Sequence, residues 1–376
     1  MTGYRGVAAT LSLFLCTLTG CVAALQNSPL PDGLALRNIA QADAGEPFAV
    51  NGTGVAAAMT KGTLQVIDLS VGTGRILAPA PASALCFSPG GQRLAAAFAT
   101  NGKSLLQIFD LKGKLLAELV VPGRVTSLAW RSEQELLAAA VTLKKYSFGT
   151  ELAGLLYRWD GAAPPVVTTL NNVTVRPQIA SLPEEILYRS LSLAVSPYGD
   201  EIAYSFLKDP PVFAPYLRIA VRHIESGAER EVAQSPVDSR GLLYAPDGES
   251  LLVGEARGMS RRLSLPDGRE IDAWPVPGNN AALSPSGSYA FLDGRLYQGG
   301  RNLVWLPEAT GAFLPDGSGL IISQSGKLSI VTGLNEARRP VPTGNLDQIL
   351  ELRRQRMLGL ITEKEFKSQK KRVPAI

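Results

Sequence analysis

The chain has 376 residues, 45% of them apolar and 19% charged, an ordinary globular balance with room for one large domain or two of medium size. Its 37 basic residues against 33 acidic give a net charge of +4, too slight a bias to suggest nucleic acid as a partner. Past the first twenty residues, no apolar run approaches the roughly 18 to 20 residues that span a bilayer, so the body is expected to be soluble.

The first element in chain order is an export signal. Arg5 gives a weakly positive start, and residues 7–18 are a short apolar run broken by Thr10, Ser12 and Thr17. Such a run is too short for a spanning helix and suits a signal peptide over residues 1–20. It ends in Leu18-Thr19-Gly20-Cys21. This resembles the lipobox of bacterial lipoproteins, in which small residues admit the chain to a peptidase groove and the cysteine thiol accepts lipid. The resemblance implies cleavage before Cys21, with a diacylglycerol and an N-acyl chain on Cys21 as the only covalent additions and no other cofactor. Several acyl chains hold a protein stably on a membrane where one does not. Val22 follows the cysteine, where enteric bacteria place aspartate for inner-membrane retention, so the outer membrane is the expected site over the inner. Cys16 leaves with the signal and Cys21 is modified, so Cys86 has no cysteine to pair with. Residues 21–47, with Pro29, Pro31, Gly33 and Gly45, read as a tether carrying one strand near Leu34 to Ile39.

From Phe48 to Pro342 one phrase repeats: an apolar strand, then Ser/Ala/Leu-Pro-x-Gly, then a second apolar strand. The copies are Ser88-Pro89-Gly90-Gly91, Ser196-Pro197-Tyr198-Gly199, Ala245-Pro246-Asp247-Gly248, Ser284-Pro285-Ser286-Gly287 and Leu314-Pro315-Asp316-Gly317. Proline presets the first turn position and glycine accepts the positive φ that closes the hairpin. Asn51-Gly52-Thr53-Gly54 and Trp130-Arg131-Ser132-Glu133 are degenerate copies. Third and fourth strands follow in several units, as in Leu106 to Asp110 and Lys112 to Leu116. Four short strands in each unit of about 42 residues describe a mainly β fold, a β-propeller over residues 48–342. Seven blades are expected. The two units without Pro-x-Gly and a short sixth unit leave six or eight open. The longest unit holds an insertion, Asn171 to Glu185, expected to form a long loop on one face. The units resemble the WD-like repeats of periplasmic TolB-type propellers.

After Pro342 the pattern becomes helical. Leu346, Ile349, Leu350, Arg353 and Met357 keep helical spacing, and Gly359 ends that helix. Thr362 and Glu365 form a capping box for a second helix bearing Phe366 on its apolar side. The string Gly359 to Phe366 resembles the short C-terminal domain called SHOCT, expected over residues 345–374. The resemblance implies packing roles for Leu346, Leu350, Gly359, Ile361, Thr362, Glu365 and Phe366, and self-association through the tail. Residues 345–376 hold eight basic and four acidic residues, a charge that suits anionic lipid headgroups and equally a solvated helix face.

Catalytic patterns are scarce. His223 is the chain's one histidine, on an expected strand. No Gly-x-Ser-x-Gly elbow occurs, and no Cys/His set has zinc spacing. Gly52-Thr53-Gly54 starts a dinucleotide-like string, but no helix follows it. Trp130, Trp159, Trp274 and Trp305 recur about once per blade region and are expected in the core. Two readings stand. The first is a non-catalytic, membrane-anchored binding or scaffold propeller engaging an envelope protein or glycan. The alternative is a hydrolase or lyase using carboxylates, with calcium bound by Asp200, Glu201 and Asp209 as candidates.

Overall fold

The structure is a computed structural model. It describes residues 29–175, 183–208, 216–236, 241–255, 258–265, 267–278, 280–335 and 361–372, together with 352 and 355. Cys21 and its lipobox, Asp209, and the tail positions Leu346, Leu350 and Gly359 lie outside these residues.

Twenty-eight strands form seven antiparallel four-stranded sheets. The innermost strands are Phe48–Val50, Ala84–Phe87, Arg124–Trp130, Ser192–Val195, Gly241–Tyr244, Ala281–Leu283 and Thr310–Phe313. They neighbour one another in ring order, the first also touching the last, so the sheets are blades 1 to 7 of a closed propeller.

The last blade differs from the serial reading. Its unit supplies three strands, Thr310–Phe313, Leu320–Gln324 and Lys327–Thr332, and the outermost comes from the start of the chain, Ala35–Gln41. The strand expected near Leu34 within the tether therefore belongs to the propeller, pairing from Ala35↔Thr332 to Gln41↔Lys327. Without it the third strand of blade 7 would keep a row of unpaired amides and carbonyls.

The repeated phrase is explained by its hydrogen bonds. In each full copy the glycine amide closes a turn onto the first residue, as Gly91 N to Ser88 O at 2.8 Å and Gly317 N to Leu314 O at 2.9 Å. The first residue's amide then reaches across the hairpin, as Ser88 N to Arg93 O at 2.9 Å. Where it is serine, its hydroxyl also accepts an amide, from Arg93, Glu201 or Tyr289. In the degenerate copies side chains replace the proline. Asn51 Oδ1 accepts the amides of Thr53 and Val55, and Ser132 Oγ accepts those of Gln134 and Glu135. Adjacent turns also touch. Asn51 donates to Gly91 O, Gly90 to Glu133, Arg131 to Gly199 O, and Tyr198 to Asp247 O. On one face of the disc, the turn face, the turns of blades 1 to 5 are thus hydrogen-bonded in series.

Seven apolar clusters correspond to the seven gaps between blades. Second strands carry runs of small residues, Ala56–Ala58, Ala95–Ala97 and Ala138–Ala140, that let adjacent sheets approach. Large rings fill other gaps, above all Tyr204, Phe206 and Phe291, each fully buried. Two glycines make room for them: a Cβ on Gly154 would come 2.7 Å from the Phe206 ring, and one on Gly311 would collide with Phe291. Trp130, Trp159 and Trp274 are core residues, whereas Trp305 is half-buried beneath Arg295, whose Cζ lies 4.9 Å from its ring.

In urea unfolding, Phe291→Ala should cost about 3 to 5 kcal/mol through its cavity. Gly311→Val should cost about 1 to 3 kcal/mol by overpacking the same ring. Val71→Ala, at a site 67% exposed, should stay within about 0.5 kcal/mol.

Candidate binding face around the central channel

Strand alternation places the start of every innermost strand on the face opposite the turns. The connections between blades and the hairpins between second and third strands lie there too. Asp43, in the connection to blade 1, accepts the amides of Lys61 and Gly62 at the tip of that blade's second hairpin, at 2.8 and 2.7 Å. Gly123, entering blade 3, donates to Gly102 O at the tip of blade 2.

The channel opens on this mouth face as two lobes of about 520 and 410 Å³. Both are bordered by Gly45-Glu46-Pro47 and by Ser127 and Ser192. The first adds Ser83, Thr126, Arg124 and, from the segment before blade 4, Glu185, Tyr188 and Arg189; the second adds Asn280 and Thr310. Thr310 Oγ1 is buried and makes no hydrogen bond. Volumes of this size suit small polar ligands or a side chain of a partner. Serine and threonine hydroxyls share the walls with two acidic residues, Glu46 and Glu185, and two basic ones, Arg124 and Arg189, whose formal charges cancel, so the opening offers hydrogen bonds over a weak net field.

The insertion is held against the mouth by charge. Of the loop expected from Asn171 to Glu185, residues 171–175 instead end blade 3's outermost strand, Val166–Val175, and Glu184 and Glu185 open a short helix, Glu184–Tyr188. Arg124, the first residue of blade 3's inner strand, grips Glu185 with both terminal nitrogens, Nη2 to Oε1 being 3.2 Å. Arg189 Nε donates to the same carboxylate at 2.9 Å, and the Arg124 guanidinium lies 5.3 Å from the Tyr188 ring centre. Partial burial works to raise the Glu185 pKa, but the hydrogen bonds and charges of Arg124 and Arg189 prevail and hold it below its ordinary value near 4.5.

Beside the helix stands a tongue. The second and third strands of blade 3, Leu136–Tyr146 and Gly149–Trp159, are eleven residues each and pair to their tip, Tyr146↔Gly149. Lys145 pairs with Glu184 of the short helix. At the tip Tyr146 and Phe148 stack, their ring centres 5.1 Å apart, with Phe148 64% exposed.

The residues singled out for chemistry lie elsewhere. His223 is on the turn face, where Nδ1 accepts the Ser226 amide at 3.2 Å, away from the mouth serines. Asp200 accepts the Ser196 hydroxyl in the blade 4 turn, and Glu201 pairs with Arg230 at 3.1 Å. Among the described residues no three His, Cys, Asp or Glu side chains converge as metal ligands. Burial pushes the Cys86 thiol far up, against a smaller opposing effect of Trp130, which keeps it protonated. In the tail, Thr362 Oγ1 accepts the Glu365 amide at 3.2 Å and Glu365 accepts the Thr362 amide at 2.7 Å, while Ile361 is half-buried and Phe366 buried.

The tongue and the Arg124–Glu185 contact escaped the sequence reading. A signal for the first exists: the apolar-rich run from Leu136 continues to Tyr146 and Phe148, longer than any other second strand.

No family model matches the chain, and no curated protein matches its sequence. Solved structures do match. The β-propeller domain of Cps50 (Swd1) from Myceliophteria thermophila is 17% identical, the match covering 79% of this chain and 99% of that one at a TM-score of 0.55. Hydrazine synthase of Kuenenia stuttgartiensis matches at 12% identity, 84% and 99% coverage and a TM-score of 0.56. A chain of the mitotic checkpoint complex matches at 14%, 88% and 99%, and 0.56. The likeness is one of fold. It spans an enzyme and an assembly component, so fold alone does not choose between them.

Because the Glu185 pKa is depressed, its contribution is present above pH 4.5 and is lost as pH falls through the lowered value. Glu185→Gln should therefore lower the hydrogen-exchange protection of residues 184–190 at neutral pH to the protection, relative to the intrinsic rate, that the unmodified chain keeps in acid, with blade 6 unchanged.

Proposed function

We propose that this chain is a lipid-anchored protein of the bacterial cell envelope whose propeller binds another envelope component, protein or glycan, without catalysing a reaction. The observation that carries the binding reading is the mouth face. A tongue with an exposed aromatic tip stands beside an open channel whose walls carry polar side chains. Exposed aromatic side chains held rigid are typical of contact surfaces.

The anchor reading draws on Leu18-Thr19-Gly20-Cys21 and on where the chain ends leave the disc. The backbone at Gly33 lies against Gly333, so the segments on either side of the propeller depart together from the turn face. Leu34 lies thirteen residue steps after Cys21, a reach of at most about 45 Å. An acylated Cys21 would hold the turn face toward the membrane, the outer membrane by the Val22 criterion, and leave the mouth face outward. The tail, as a SHOCT-like module, would add self-association, with Ile361 and Phe366 packing the module itself.

Cells fed labelled palmitate should incorporate it into the chain and lose that label with Cys21→Ser. Retained label, or a full-length amino terminus in the unmodified chain, would overturn the anchor. Sedimentation should show an oligomer that Phe366→Asp converts to monomer with the propeller still folded. A monomer before the change removes self-association.

A further inference from the structure

The tongue of blade 3 carries more information than a generic contact. Pairing of the innermost strand with the second stops at Val141, but the second and third strands continue through Leu143↔Leu152, Lys144↔Glu151 and Lys145↔Thr150. The outermost strand follows them, with Thr150↔Val175. Three strands thus rise past the inner wall as one stiff unit. The aromatic pair on it is fixed. Tyr146 donates to Glu151 Oε2 at 2.9 Å, and Asn172 donates to the other oxygen at 2.9 Å. The Lys144 amine lies 5.1 Å from the Tyr146 ring centre.

Next to the tongue, the second hairpins of blades 2 and 1 end in Lys103 and Lys61. Lys61, Lys103 and Lys144 are all exposed, and none has an ion pair among the described residues. The carboxylates around them are held by other partners, though Asp43 and Glu151 keep their charge. Asp43 accepts the Lys61 and Gly62 amides, Glu184 takes Lys145, and Glu151 holds Tyr146 and Asn172. Three adjacent blades therefore present three exposed lysines that no ion pair holds among the described residues, Lys144 also feeling the charge of Glu151, beside a preorganised aromatic anchor.

We propose that the tongue and this lysine row form the docking surface for an acidic face of a partner protein, with Phe148 entering an apolar pocket on that partner. The proposal deepens the binding reading above and rests on it. Buried rings at the centre of an interface supply most of the affinity, while rim charges set association rate and partner choice. An anionic membrane would suit the same side chains. Both chain ends leave the opposite face, however, so an anchor on Cys21 turns the lysine row away from the bilayer that holds it.

The test places a photocrosslinking residue by Ser147→p-benzoylphenylalanine, with Ser318 on the turn face as control, in the full-length chain in cells. Adducts are sequenced, and the captured protein is purified and titrated against the chain. The expected result is an adduct at 147 and none at 318, with its crosslinked peptide rich in Asp and Glu. In the purified pair, Phe148→Ala should weaken binding at least tenfold. The triple change Lys61→Glu, Lys103→Glu and Lys144→Glu should slow association and remove its salt dependence. A crosslink to lipid, an adduct at 318 only, none at either site, or affinity indifferent to both sets of changes would each overturn the proposal. Palmitate labelling of the same cells reports the anchor separately, so a chain that crosslinks but carries no lipid refutes the anchor and not the surface.

Discussion

The pairing of Ala35–Gln41 with Lys327–Thr332 is the constraint on which the rest of the molecule depends. Six backbone register pairs close the ring between segments nearly three hundred positions apart, and Ser329 adds a hydroxyl bond to Asn38 at 2.8 Å. Every inter-blade cluster needs both of its neighbours, so an open ring would expose not one apolar surface but two. The cluster between blades 7 and 1 shows this directly, with Ala56, Ala58 and Ile67 packed on Ile321, Leu328 and Ile330. Joining such distant ends costs loop-closure entropy, but that cost grows only with the logarithm of length. Closure also fixes the spacing of the innermost strands, and with it the width of the channel mouth.

What was legible in the chain follows the range of the interaction. The turn phrase is local: its amide, carbonyl and hydroxyl partners lie within five residues, so Ser-Pro-x-Gly reports a hairpin wherever it occurs. Even the copies lacking proline could be placed, because each precedes an apolar strand; in the structure Asn51 and Ser132 accept nearby amides through their own side chains. The closing strand was visible as a strand near Leu34, but not its partner, since nothing in seven residues names a sheet edge hundreds of residues away. The mouth was invisible for a related reason. Its walls are the first residues of seven separate strands, and small hydroxyl side chains such as Ser127 and Ser192 carry no pattern until the ring brings them together.

The two faces of the disc differ in how much of their chemistry is already committed. On the turn face the repeated phrase binds neighbouring turns, and Asp68, Asp110, Asp160 and Asp316 hold the amides of their own loops. Side chains used in this way explain repetition without implying a ligand, which is why the carboxylates Asp200 and Glu201 turn out to serve local structure. The mouth face keeps functional groups free of such duties: Thr310 Oγ1 without a partner, exposed Phe148, and lysines at hairpin tips.

The short helix Glu184–Tyr188 joins these features. Five residues are too few to be helical alone, because the nucleation cost exceeds what one turn returns. Its position comes instead from contacts at both ends of its acidic first turn: Glu184 to Lys145 on the tongue, Glu185 to Arg124 on the inner strand. Leu187 adds a buried anchor in the cluster between blades 3 and 4. Each exposed ion pair is worth little by itself. Together they tie tongue, insertion and channel wall into one piece, and a surface held in one geometry before contact loses less entropy on binding. The rigidity of the mouth face thus begins with the closed ring and is completed by a few charges that only the folded chain places side by side.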